Sequence, residues 1–249
     1  MSEHLCREVN CGGSIDRRAV MKTALGAAAL FAMGAGGGLN GVVYAASLSK
    51  IQRDAMTPEQ VLVEMAKGNE RFRNGKPMQH DYLAQKRSSA EGQYPSAVVL
   101  SCIDSRAPAE IVMDAGIGET FNSRVAGNVV NDDLLGSMEF ACAVAGAKVV
   151  LVMGHTACGA IKGAIDHVEL GNLTGLLARI RPAIAQTRYE GERSSKNAEF
   201  VDAVARSNVL HTIDQIRKRS DVLAKLEKEG RIKIAGAMYH LSGGRLEFL

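Results

Sequence analysis

Two short strings in this 249-residue chain concentrate the side chains able to do chemistry: Cys102-Ile103-Asp104-Ser105-Arg106 and His155-Thr156-Ala157-Cys158. Together they supply two thiols and one imidazole, a donor set suited to zinc. Three protein donors leave a tetrahedral ion one open position, the arrangement of a catalytic zinc site and not of a structural one. Asp104 could manage the proton of a water bound there. Arg106, a planar fork two residues later, could hold that carboxylate bidentately and keep it ionised. Taken singly, each Cys reads as a small buried hydrophobe and His155 as a turn residue. Taken together with Asp104 and Arg106, they read as a zinc centre.

The elements that must carry these residues are strands. Ala97 to Leu100 and Lys148 to Met153 are unbroken apolar runs, as strands covered on both faces require. The first ends at Ser101-Cys102 and the second at Gly154-His155. Residues 119–125 and Lys233 to Tyr239 are two more strands, and Gly243-Gly244 turns the chain into a last one over Arg245 to Leu249. Between them lie helical patterns: Leu134 to about Ala145 capped by Asn131, Ile161 onward, and Ala178 to Leu226 with a break near Gly191 to Ser195. Thr57-Pro58-Glu59-Gln60 starts an earlier helix with a capping box and ends it at Asn74-Gly75; it is expected outside the main sheet or on a partner subunit. Ser88 to Pro95 is a polar linker. Alternating strands and helices predict an α/β fold with a mainly parallel central sheet, flanked by helices, and an N-terminal helical extension. Ligands bind beyond the carboxyl ends of such strands, which is where both strings fall.

The first 45 residues read as a separate segment. Asp16-Arg17-Arg18-Ala19-Val20-Met21-Lys22 resembles a twin-arginine translocation signal. An uncharged Gly/Ala-rich stretch follows from Thr23 to Val43, and Val43-Tyr44-Ala45, or the register one later, ends it with a small-residue cleavage site. A retained membrane anchor is the competing reading, weakened by the glycines. The division expected is a signal over 1–45 and a catalytic domain over 46–249, exported folded to the periplasm. Cys6 and Cys11 leave with the signal. Cys102, Cys142 and Cys158 remain, an odd number in a compartment that favours disulfides, and two of them serve better as thiolate ligands; Cys142 belongs to an apolar helix face. A net charge of +3 gives no sign of nucleic-acid binding. Aromatics make up 4% and Trp is absent, so the core is aliphatic.

Ser101-Cys102-Ile103-Asp104-Ser105-Arg106, then Arg124-Val125-Ala126-Gly127-Asn128, then Gly154-His155-Thr156-Ala157-Cys158-Gly159 resemble, in order and spacing, the β-class carbonic anhydrases. Lys67-Gly68-Asn69-Glu70-Arg71-Phe72 and Gly236-Ala237-Met238-Tyr239 extend the likeness over most of residues 57–249. The resemblance implies Cys102, His155 and Cys158 as ligands of one zinc ion per subunit, Asp104 and Arg106 as a catalytic dyad, and reversible hydration of CO2 to bicarbonate and a proton by zinc-bound hydroxide. It implies Gln93 as a substrate-pocket residue of the plant-like branch, Gly159 as a backbone donor facing substrate, and a homodimer or higher homo-oligomer. Some members close the site by moving this Asp onto the metal. Ile103 stands where serine is commoner, and His240 where Asp often follows the Tyr. The absence of Trp and the presence of Gln93 point away from the bicarbonate-inhibited branch. His80, His167, His211 and His240 are proton-shuttle candidates by chemistry alone, and most of them are expected at the surface. Hydrolysis of CS2 or COS on the same site, and a non-catalytic zinc or thiol-redox module, are the rival readings. A zinc deaminase needs His-x-Glu and Pro-Cys-x-x-Cys strings, and neither is present.

Overall fold

The computed structural model describes residues 43–249. The twin-arginine string and all but the last residues of the signal segment lie outside them. In chain order the elements are β1 (Val43–Tyr44), α1 (Lys50–Ala55), α2 (Pro58–Arg73), β2 (Gln79–His80), α3 (Tyr82–Ser88), β3 (Ala97–Ser101), α4 (Ala109–Val112) and β4 (Thr120–Arg124). Then come α5 (Asp132–Glu139), β5 (Val149–His155), α6 (Gly159–Ile165), α7 (Gly171–Ala178), α8 (Arg181–Gln186), α9 (Ala198–Arg219), α10 (Asp221–Lys228), β6 (Lys233–Tyr239) and β7 (Leu246–Phe248). The main sheet has the order β4-β3-β5-β6-β7, parallel except for β7. No helix among the described residues is long and apolar enough to cross a membrane.

The side-chain period of two sorts each strand between two cores. Val98, Leu100, Val150, Val152, Ile234 and Met238 pack with the helices that follow β4, and Cys142 is buried among them as expected. Val99, Val149, Leu151, Met153 and Ala237 pack on the other face with Val61 and Met65 of α2. The helix begun by the Thr57–Gln60 capping box therefore covers the sheet of its own chain and does not stand outside it. Helix α9 lies so close to β5 that a Cβ on Gly154 would sit 2.6 Å from Val209 Cγ2.

Three departures from the sequence reading have local causes. The helix begun at Asn131 changes to a wider π turn over Phe140–Val144 before Ala145. The long helical stretch ends α9 at Ser220, whose hydroxyl accepts from Leu223 N and starts α10 at the same residue. The segments α1, α3 and β2 were hidden by polar sequence, and β1 (Val43–Tyr44) falls on residues read as the end of the signal segment.

Candidate metal centre

Adjacent parallel strands bring the two strings together. Ser101, at the end of β3, pairs with Met153 of β5, so Cys102 and His155 emerge side by side from one end of the sheet. After His155 the chain reverses through Ala157, whose φ is +53°; its N–H donates to Asp202 Oδ1 of α9 at 2.8 Å. Cys158 then precedes α6 as its N-cap. The sulfurs of Cys102 and Cys158 and a ring nitrogen of His155 all lie within 4.8 Å of one another, and all three residues are buried.

The cluster has the chemistry a soft divalent cation needs. His155 Nδ1 lies 2.9 Å from the Thr156 carbonyl. A carbonyl only accepts, so Nδ1 carries the proton and Nε2 carries the lone pair. That Nε2 is buried and has no hydrogen-bond partner. The Cys158 thiol beside Cys102 lowers the pKa of Cys102 to about 4, while the Cys102 sulfur, together with burial, pushes Cys158 well up. A second anionic sulfur there requires a cation. Two thiolates and an imidazole lone pair fit zinc, and they leave it one further position.

Asp104 borders that position. Its Oδ2 is 3.7 Å from His155 Nε2. Arg106 grips it with Nε on Oδ1 at 2.9 Å and Nη2 on Oδ2 at 2.7 Å, and the Arg106 N–H adds a third bond to Oδ1 at 3.0 Å. The Arg106 guanidinium holds the Asp104 carboxyl well below the usual carboxylate range. Ile103 is 60% exposed and takes no part.

The loop itself is held by residues whose roles the sequence reading missed. Arg124 donates from Nε to the Cys102 carbonyl (3.0 Å) and from Nη2 to the Asp104 carbonyl (2.5 Å). Gly127 N–H donates to Cys102 Sγ at 3.3 Å. Asn208 and Thr212 of α9 donate to the carbonyls of Gly127 and Asn128. A buried Asn on an otherwise apolar helix face was the available signal.

Two expected substrate residues are placed differently. Gly159 opens α6 beside Cys158, exposed, with nothing within 4 Å of where a Cβ would be. Gln93 is exposed and precedes Ser96, which is tied to Glu119 and Lys148 at the amino end of the sheet. Five residues of strand, about 3.3 Å each, separate that end from Cys102, so one chain does not bring Gln93 to the cluster. Of the other imidazoles, His167 is exposed and His211 and His240 are half-buried. His80 is not at the surface: its side chain is 4% exposed and meets Asp114.

The carbonic anhydrase family model matches residues 97–246. The chain is 34% identical over 186 residues to a carbonic anhydrase of Mycolicibacterium smegmatis, covering 72% of this chain and 87% of that one. It is 33% identical over 187 residues to carbonic anhydrase 2 of Mycobacterium tuberculosis, covering 73% and 87%. Among solved structures it is similar to the tetrameric β-carbonic anhydrases of Sordaria macrospora, with a TM-score of 0.59 at 24% identity over 64% of this chain and 83% of that one. A β-carbonic anhydrase of Aspergillus fumigatus gives the same TM-score and identity over 77% and 89%. With its parallel sheet, its two Cys and one His at adjacent strand ends, and relatives matched over most of their length, the chain belongs to the β-class carbonic anhydrase family.

Proposed function

We propose that this chain catalyses the zinc-dependent, reversible hydration of CO2 to bicarbonate and a proton. The observation that carries the reading is the orphaned Nε2 of His155 facing two buried thiols, with an Arg-held carboxylate at its side. Cys102, His155 and Cys158 would hold the zinc, which supplies Lewis acidity that can bring the pKa of a water to roughly 7. The chain's own work is orientation. Asp104, ionised by Arg106, can only accept; it takes a hydrogen bond from the nucleophilic oxygen and turns a lone pair of that oxygen toward the CO2 carbon. Arg106 keeps the carboxylate from leaving that post. The Gly159 N–H is the backbone donor available to an oxygen of the product.

Gln93 completes the pocket only from a second copy, which supports a homodimer or larger homo-oligomer, and with the absence of Trp it supports the plant-like branch. The arginine pair Arg17-Arg18, the uncharged stretch after it and the small-residue end support export in folded form to the periplasm. Replacing both by Lys should leave the protein in the cytoplasmic fraction.

Stopped-flow CO2 hydration by the purified protein, with and without zinc, tests the activity. Two thiolates cancel the charge that three imidazoles would leave on the ion, so the rate should be zinc-dependent and climb between pH 6 and 9. Zinc-independent turnover or a flat profile defeats the reading.

A further inference from the structure

We infer that Asn208 is a positioning residue for the metal centre: its carboxamide fixes the Gly127 residue so that the Gly127 N–H donates to the Cys102 sulfur. Asn208 lies on the face of α9 that buries Val201, Val204, Ala205, Val209 and Ile213, and it is fully buried. A carboxamide in such a setting is costly unless it makes hydrogen bonds. Its Nδ2 donates to the Gly127 carbonyl at 2.7 Å, the one hydrogen bond the side chain makes, since its Oδ1 has no partner. One turn later on the same face, Thr212 Oγ1 donates to the next carbonyl, Asn128 O, at 3.2 Å.

The two grips fall on consecutive residues in the left-handed region, Gly127 at φ +66° and Asn128 at φ +43°. A side chain at Gly127 would be strained by the positive φ, and its Cβ, 2.7 Å from Ile180 Cδ1, would force the Ile180 side chain to shift. Its N and O sit on two sides of one Cα, so anchoring the oxygen orients the N–H, which meets Cys102 Sγ at 3.3 Å. A hydrogen bond to a ligand sulfur withdraws charge that the thiolate would otherwise give the metal. The ion stays a stronger Lewis acid, and the ligand stays aimed. The inference rests on Cys102 being a metal ligand.

The test uses the cobalt-substituted full chain, in which the sulfur-to-cobalt charge-transfer band reports electron density on the thiolates. Asn208→Leu should move that band to lower energy and slow CO2 hydration by roughly 10–100-fold. Thr212→Val leaves the Gly127 carbonyl gripped and should move the band less. A folded Asn208→Leu protein with an unchanged band overturns the inference, as does an equal shift in both variants. A wild-type chain that takes up no cobalt overturns the metal reading instead. The unmutated protein loaded with cadmium-113 gives a check that does not depend on Asn208→Leu folding. The Gly127 amide proton should show a scalar coupling to the metal through the sulfur, and its absence counts against the N–H···S bond.

Discussion

Two clusters of titratable groups buried among the described residues are built on opposite principles. Around Asp114 every polar atom is spent. Its carboxylate, 3% exposed, accepts from Arg71 Nε at 2.5 Å, from Met78 N and from His80 Nε2. His80 Nδ1 accepts from Gln85 Nε2, which also reaches the Tyr44 carbonyl, and Gln85 Oε1 accepts from Ile117 N. This network ties β1, β2, α2 and α3 to the loop after α4. At the carboxyl end of β3 and β5, by contrast, a buried imidazole nitrogen has no partner and two thiols face it. Burial of charge is common to both; unspent donors converging on one point belong to the second alone. Between these two clusters, the satisfied one is architecture, and the one with metal-binding atoms left unpaired and converging marks chemistry.

That distinction can be broken experimentally. The largest effect is expected from Cys158→Ser: the protein should fold, lose its bound metal and lose CO2 hydration altogether, as metal analysis and stopped-flow kinetics would record. Asp104→Asn should keep metal and fold while the rate falls about 10²–10⁴-fold, the range for a proton-handling group; a loss of only a fewfold would reduce the Asp104–Arg106 pair to a turn closure. Because Arg106 depresses the folded-state pKa of Asp104, whatever stability the pair gives is complete above the unfolded value of roughly 3.9 and lost as pH falls through the lower folded value. Carboxyl carbon NMR should accordingly show Asp104 ionised at every pH from 5 to 9.

The other cluster should answer differently. Asp114→Asn tolerates the positive φ of 49° but leaves Arg71 without its carboxylate. It should cost about 1–3 kcal/mol in urea unfolding with kcat/KM unchanged. A drop in rate at full stability would erase the division between the two clusters. A finer test concerns the thiols. In chelated protein the neighbouring Cys158 thiol lowers the pKa of Cys102, whereas burial pushes Cys142 up to about 12. Alkylation followed by peptide mapping should find Cys102 modified before Cys142.

Much of the centre was legible because its residues come from local strings at the ends of apolar runs. Cys102, Asp104 and Arg106 follow one strand, and His155 and Cys158 follow its neighbour, so strand prediction and ligand spacing reinforced each other. Arg124, Asp202 and Asn208 were not legible in their roles. Each acts across the fold on a backbone atom 20–81 positions away, and no spacing rule encodes such a contact. The same holds for α3 and the β1–β2 pair, tied by Gln85 and Ser47 contacts, and for α1, held by its Ser49 capping box and by Arg53 on the Ala145 carbonyl, none of it encoded in hydrophobic periodicity. The placement of α2 on its own sheet depended on which face Val61 and Met65 would meet, and a helical stripe does not name its partner.

The pairing of β3 with β5 has one more consequence. Cys102 and Cys158 stand 56 positions apart and meet only when those two strands lie side by side. In an unfolded or mispaired chain only the His155–Cys158 pair is local, and bringing Cys102 to it costs loop-closure entropy. A metal held by all three residues would by mass action favour the native topology: free ion at a thousand times its dissociation constant favours the correctly paired chain by about 4 kcal/mol, less whatever the unfolded chain binds. The cluster thus doubles as a proofreader of the chain's own folding.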